Sequence, residues 1–176
     1  MNEIIKKNGF NFGVLSGLIS VIITSLVYIV DLKLFTSFWL LLIIITISLT
    51  LAIVLLNKSK KELNGILTFK EAFTVYFLMS LVSVLISVGF NIILFNIIDP
   101  DVKVTLKELT IKSSMEMMEK FGAPKSEIKK AVTEIGKQDQ FGVVSQIKGM
   151  FGTLVFSSIF GLILAAFFKT PNRQEI

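Results

Sequence analysis

Four stretches of this chain carry no charged residue over lengths that suit a membrane better than a water-soluble core. They run from Phe10 to Val30, Ser37 to Leu56, Ala72 to Ile98 and Met150 to Phe168. A helix needs about 20 mostly apolar residues to cross a hydrocarbon layer of roughly 30 Å, and each stretch meets that requirement. Lipid offers the backbone no hydrogen-bond partners, so each stretch has to satisfy its own amides as a helix. All three prolines (Pro100, Pro124, Pro171) fall outside them. The pattern predicts an all-α fold, an integral membrane four-helix bundle forming one membrane domain over residues 1–176. The third stretch has 27 residues, roughly 40 Å as a helix, so it must tilt or protrude. The first is too long for a signal-peptide core of about 7–15 residues, and no small-x-small cleavage site follows before Asp31. It reads as a retained signal anchor.

Lysine placement sets the expected orientation. Lys6 and Lys7 precede span one; Lys58, Lys60, Lys61 and Lys70 lie between spans two and three; Lys169 and Arg173 follow span four. The loop between spans one and two holds only Lys33, beside Asp31. Positive-inside reasoning places both termini in the cytoplasm. The long segment 99–149 then lies outside, and its nine lysines are offset by eight acids. Tyr28 and Trp39 sit where an outer aromatic belt is expected.

Between the second and third spans, Thr68-Phe-Lys-Glu71 has the S/T-x-x-E spacing of a capping box, with Gly65 breaking the chain upstream. Lys70 can snorkel to the headgroups. These residues predict a capped helix entry rather than a chemical site.

Histidine and cysteine are both absent. That removes the usual base near neutral pH, the thiolate nucleophile and the commonest metal ligands. No acid or base lies deep in any span, so proton coupling and voltage sensing have no obvious carrier. Asp31, Asp99 and Asp101 offer oxygen donors without the spacing of a ligand loop, and serve better as span ends. Glu116, Glu119, Glu127 and Glu134 alternate with lysines as a solvated face does. No phosphate loop, G-x-S-x-G or H-E-x-x-H pattern occurs, and balanced charge leaves no nucleic-acid footprint. The chain is expected to be no enzyme, with no catalytic, cofactor-binding or metal residues and no cofactor.

What the spans do carry is small and polar residues at helical spacing. Span four has Gly149, Thr153, Ser157, Gly161 and Ala165 at four-residue steps, a small-xxx-small seam that lets backbones approach. Span one has Gly13 and Gly17, continued by Ser20 and Thr24. Span three carries Tyr76, Ser80, Ser83, Ser87 and Asn91 on one face. This stripe reads first as interhelical hydrogen bonding and second as a polar path.

Segment 99–149 predicts an extracytoplasmic amphipathic helical hairpin, broken at Gly122 and Pro124. Its second arm repeats Ile128, Ala131, Val132 and Ile135 at helical spacing and is expected to run nearly continuously into span four, with Lys148 at the interface. Met115, Met117 and Met118 form an adaptable apolar patch.

Taken together, "GVLSGLIS", "NGILTFKEAF", the "DPD" closing span three, "GAPKSEIKKAV" and "GMFGTLVFSSIFGLILAAFFK" resemble the bacterial membrane family called domain of unknown function 4199. The resemblance implies a four-span protein of the bacterial inner membrane, and implies no catalytic or binding residue. The expected function is a non-enzymatic assembly or interaction component of the cell envelope. Its partners would be membrane lipids and a second copy (a homo-oligomer) or another envelope protein, with no nucleic acid. The alternative is a small-solute or lipid transporter that acts as an oligomer.

Overall fold

A computed structural model describes residues 2–171 of the chain; Arg173 lies outside the described residues. Six α-helices account for almost all of it: α1 (Glu3–Val30), α2 (Phe38–Glu62), α3 (Phe69–Ile93), α4 (Val102–Lys120), α5 (Lys125–Lys137) and α6 (Val143–Phe168). A 3-10 turn, Leu32–Thr36, joins α1 to α2, and one π-helical turn, Leu94–Ile98, extends α3. α1, α2, α3 with its π turn, and α6 are each long and apolar enough to span a membrane. The molecule is an all-α membrane bundle. Four spans return both ends of the bundle's chain to one side, here called the terminus end; α4 and α5 form the hairpin end.

Helices α1, α2 and α6 overrun the apolar stretches that reveal them. α1 starts at Glu3 because Asn2 caps it, its Oδ1 accepting from the Ile4 amide at 2.9 Å. α2 continues past Leu56 to Glu62 on polar residues, one face of which is held by the bundle. Apolarity marks the part of a helix meant for lipid, while hydrogen bonding decides where the helix stops. α3 starts as its spacing predicts. The Glu71 amide donates to the Thr68 hydroxyl at 3.2 Å, and the Thr68 amide donates to the Glu71 carboxylate at 3.0 Å. Upstream, Asn64 and Gly65 turn the chain with positive φ of 54° and 82°, conformations that asparagine and glycine tolerate best.

α3 is the hub. It packs most extensively on α1 and next on α6, whereas α2 leans on α1 and α3 and touches α6 sparsely. The main core lies toward the terminus end, where Ile5, Ala52, Leu55, Leu56, Leu67, Ala72, Val75, Met79 and Ala165 are all buried. Toward the hairpin end α2 is almost wholly exposed, from Phe38 and Trp39 to Thr50.

A second core, Leu94, Phe95, Val102 and Leu106, fixes the base of the hairpin to the bundle. Phe95 meets Phe35 and Phe141 edge to face, with ring centroids 5.9 and 5.6 Å apart. Phe141 explains a departure from the sequence reading. Instead of running on into span four, the chain breaks between Lys137 and Val143. The break lets Phe141 turn inward, and its carbonyl accepts from Asn96 at 3.1 Å and Gln146 at 2.8 Å. Lys148 is exposed on the first turns of α6. α5 packs chiefly on α4, burying Ile128 there.

Candidate functional site

The two helices that flank α3 carry glycine seams, and the structure uses them differently. Along α1, Gly9, Gly13 and Gly17 face Leu78, Val82 and Ile86. A Cβ at these positions would stand 2.9, 2.6 and 2.8 Å from the Cβ atoms of those side chains. Only glycine permits this approach, since real Cβ contacts stay beyond van der Waals distance. Gly9 lies just ahead of the charge-free stretch that begins at Phe10, so the apolar pattern leaves it outside the seam. Its signal was present, one four-residue step before Gly13.

Along α6 the seam is divided. Gly161 lies against the Tyr76 ring, where a Cβ would come within 2.6 Å of Cδ1, and Ala165 is fully buried in the main core. Ser157 donates to the Ser80 hydroxyl at 2.8 Å, and its oxygen lies 3.3 Å from the Tyr76 hydroxyl, from which it can accept. On the hairpin side of Ser157 the seam face of α6 is left uncovered, until Phe141, just ahead of α6, ties the chain back to the π turn of α3. Thr153 and Gly149 are exposed, and nothing lies within 4 Å of a Cβ added at Gly149 or Gly152. Thr153 turns back on its own helix, donating to the Gly149 carbonyl at 3.0 Å.

The span-three stripe divides in the same way. Tyr76 and Ser80 meet α6 as above. Ser83 crosses to α1, donating to the Ser16 hydroxyl at 3.0 Å. Ser87 donates to the Ser83 carbonyl of its own helix at 2.9 Å. The Asn91 Oδ1 is buried with no hydrogen-bond partner among the described residues.

Where α2 and α6 part, a cavity of about 300 Å³ remains. It is lined by Ser16, Ser20 and Thr24 of α1, Ser48 of α2, Ser83 and Ser87 of α3, Thr153 of α6, and the isoleucines and valines between them. Among the described residues no ionisable side chain lines it.

The family described as "Protein of unknown function (DUF4199)" matches residues 11–170. The chain belongs to that family. No curated protein and no solved structure matches it. In this family member, then, the candidate site is the opening between α2 and α6 together with the hydroxyl-lined cavity behind it.

The remaining polar residues hold the bundle's ends. At the terminus end the buried Asn8 amide donates to Ser59 at 3.2 Å and to Glu62 at 2.8 Å. Lys60 donates to the Phe168 carbonyl at 3.2 Å, where the negative end of the α6 dipole favours a cation. Thr170 clamps the α2–α3 loop: its amide donates to the Leu67 carbonyl at 2.8 Å, and its hydroxyl to the Gly65 carbonyl at 3.0 Å. Sequence reasoning missed this network because its partners lie 51–108 residues apart. At the hairpin end the Tyr28 hydroxyl donates to Asp99 at 2.7 Å, and Asp99 also accepts from the Val102 amide at 3.3 Å. Asp31 accepts from the Lys33 amide at 2.9 Å. These two aspartates end and join helices, and among the described residues no three acids gather as metal ligands would.

Proposed function

We propose that this protein is a non-enzymatic assembly component of the bacterial inner membrane. It would associate laterally with a second copy of itself or another envelope protein through the hairpin-side half of α6. One observation carries the reading: among the described residues nothing lies within 4 Å of a Cβ added at Gly149 or Gly152, which leaves a small-residue surface open on α6 beside the exposed Thr153. In lipid, helices associate through close packing and hydrogen bonds, because apolar burial alone gives little advantage over lipid tails. A small-residue surface left open within one protomer is therefore suited to a helix from elsewhere. The orientation proposed has the terminus end in the cytoplasm, since Lys6, Lys7, Lys58, Lys60, Lys61, Lys70 and Lys169 all belong to that end.

A tagged copy at native expression level, gently solubilised and compared with an untagged control by quantitative mass spectrometry, tests the assembly. The expected result is recovery with a second copy or a near-equimolar envelope protein, lost in Gly149→Leu. Recovery of the monomer alone overturns the reading. Orientation is tested with an impermeant maleimide on intact cells: Ser126→Cys on the hairpin reacts and Asn64→Cys does not.

The second reading is a small-solute or lipid transporter acting as an oligomer, and the hydroxyl-lined cavity favours it. Ser83→Leu, which projects bulk toward Ser16, would then abolish flux while the protein still inserts.

A further inference from the structure

Many hydroxyls in the spans are satisfied by their own helix. Ser25, Thr46, Thr50, Ser87, Thr153 and Ser158 each donate to the carbonyl four residues back, at 2.7–3.0 Å. This is the ordinary fate of serine and threonine where water is absent. Three hydroxyls on the cavity wall differ. Ser20 and Thr24 of α1 and Ser48 of α2 line it, and none makes a hydrogen bond to the protein among the described residues. An unpaired hydroxyl away from water is unfavourable. Ser20 and Thr24 are half-buried and Ser48 is exposed, so a molecule in that space can reach three unpaired hydroxyls on two helices.

We infer that this cavity binds the uncharged head of a lipid bearing hydroxyl or carbonyl oxygens, with the lipid's chain leaving between α2 and α6. The inference rests on the second reading above, but requires binding only, without transport. Serine and threonine hydroxyls both donate and accept, which suits such oxygens. Among the described residues no ionisable side chain lines the space, so a phosphate or ammonium would lose its water with no opposite charge to replace it. The volume, about 300 Å³, corresponds to roughly ten waters at their share of the liquid, which is larger than a single trapped solvent molecule requires. Aliphatic side chains of α1, α2 and α3 fill the wall between the hydroxyls, the mixture usual in small-molecule sites.

The exit is also defined. α2 and α6 touch sparsely. They share a core at the terminus end through Ala52, Leu55, Leu56 and Ala165. Toward the hairpin, Ser48 stands exposed at the rim and α6 leaves open space at Gly149 and Gly152. A chain entering there comes straight from the bilayer.

Two membrane molecules carry the required oxygens: a diacylglycerol, with one hydroxyl and two ester carbonyls, and an isoprenoid quinone, with two ring carbonyls. The test is native mass spectrometry of the purified full chain titrated separately with dioleoylglycerol, menaquinone-4 and, as a charged comparison, dioleoylphosphatidylglycerol. The expected result is saturable one-to-one binding of one neutral lipid, which identifies the source. The triple variant Ser20→Ala, Thr24→Ala, Ser48→Ala should weaken it at least about tenfold, equivalent to about 1.4 kcal/mol. Phosphatidylglycerol adducts should be unchanged. A second variant, Ser48→Phe, fills the rim without touching α1 and should also block binding. Neither neutral lipid binding above the phosphatidylglycerol level overturns the inference, as does binding that both variants leave intact. Transport is measured separately, by movement of the bound lipid between leaflets of reconstituted vesicles. Binding without movement retires the transporter reading and leaves the site standing.

Discussion

The terminus half of the bundle is closed and the hairpin half is open, though both are built from the same four helices. At the terminus end α1, α2, α3 and α6 share one core, and polar side chains tie α1 to α2, α2 to α6 and the α6 end to the α2–α3 loop. Toward the hairpin, α1 and α3 stay joined at Gly17 and Ile86, while the exposed parts of α2 and α6 border a cavity before Phe141 ties the start of α6 to the π turn of α3. The lesson is that a small-residue seam in a sequence states where a backbone can approach closely, and leaves unstated which partner will come. Gly13 and Gly149 belong to equally regular seams. One is sealed by the same chain and the other is open.

Substitutions can break that comparison or sharpen it. The largest effect is expected from Gly13→Leu, whose Cβ would stand 2.6 Å from the Val82 Cβ and 2.9 Å from the Met79 carbonyl oxygen. Backbone cannot yield as a side-chain tip can, so the loss should reach about 1–3 kcal/mol or more in a steric-trapping unfolding assay. Gly149→Leu in the same assay on the monomer should stay within about 0.5 kcal/mol. Equal losses at the two positions would erase the difference between the seams.

Next in size is Asn8→Leu, which leaves Ser59 and Glu62 without their donor. A cost of about 1–3 kcal/mol is expected, read as loss of the α1–α2 contact by proteolysis near Lys58. Thr68→Ala removes the cap at the α3 entry and should lower stability by about 1 kcal/mol. The smallest effect belongs to Ser157→Ala, at the point where α6 begins to part from α3. One interhelical hydroxyl bond in a membrane contributes about 0.6 kcal/mol on average, so a larger loss there would show the boundary between the halves to be tighter than its 2.8 Å bond to Ser80 implies.

Much of this fold was legible in the sequence, for reasons that are local. A charge-free stretch of span length has few structures open to it in lipid, and Thr68 and Glu71 are three residues apart, so their reciprocal bonds could be read from spacing. The helical hairpin followed from Gly122, Pro124 and the repeat of Ile128, Ala131, Val132 and Ile135. What was hidden depends on distant partners. The break before α6 exists because Phe141 finds Phe95, and the Asn8 network closes residues more than 50 positions apart. The candidate site was legible only as an inventory. The spacing brought out Ser83, Ser87 and Thr153, but the departure of α2 that turns them into a cavity wall has no local signal. Nor could spacing show that Ser20 and Thr24, read as the continuation of a packing seam, face that cavity.

The open half is tested most directly by disulfide cross-linking in this cysteine-free chain. Ser80 and Ser157 face each other across α3 and α6, and Val88 and Gly149 lie eight residues farther along each helix. The double variant Ser80→Cys, Ser157→Cys should cross-link within one chain under mild oxidant. Val88→Cys with Gly149→Cys should not, while Gly149→Cys alone should cross-link between chains in native membranes. Intramolecular cross-linking of both pairs at the same rate would show α6 closed along its whole length and contradict the account.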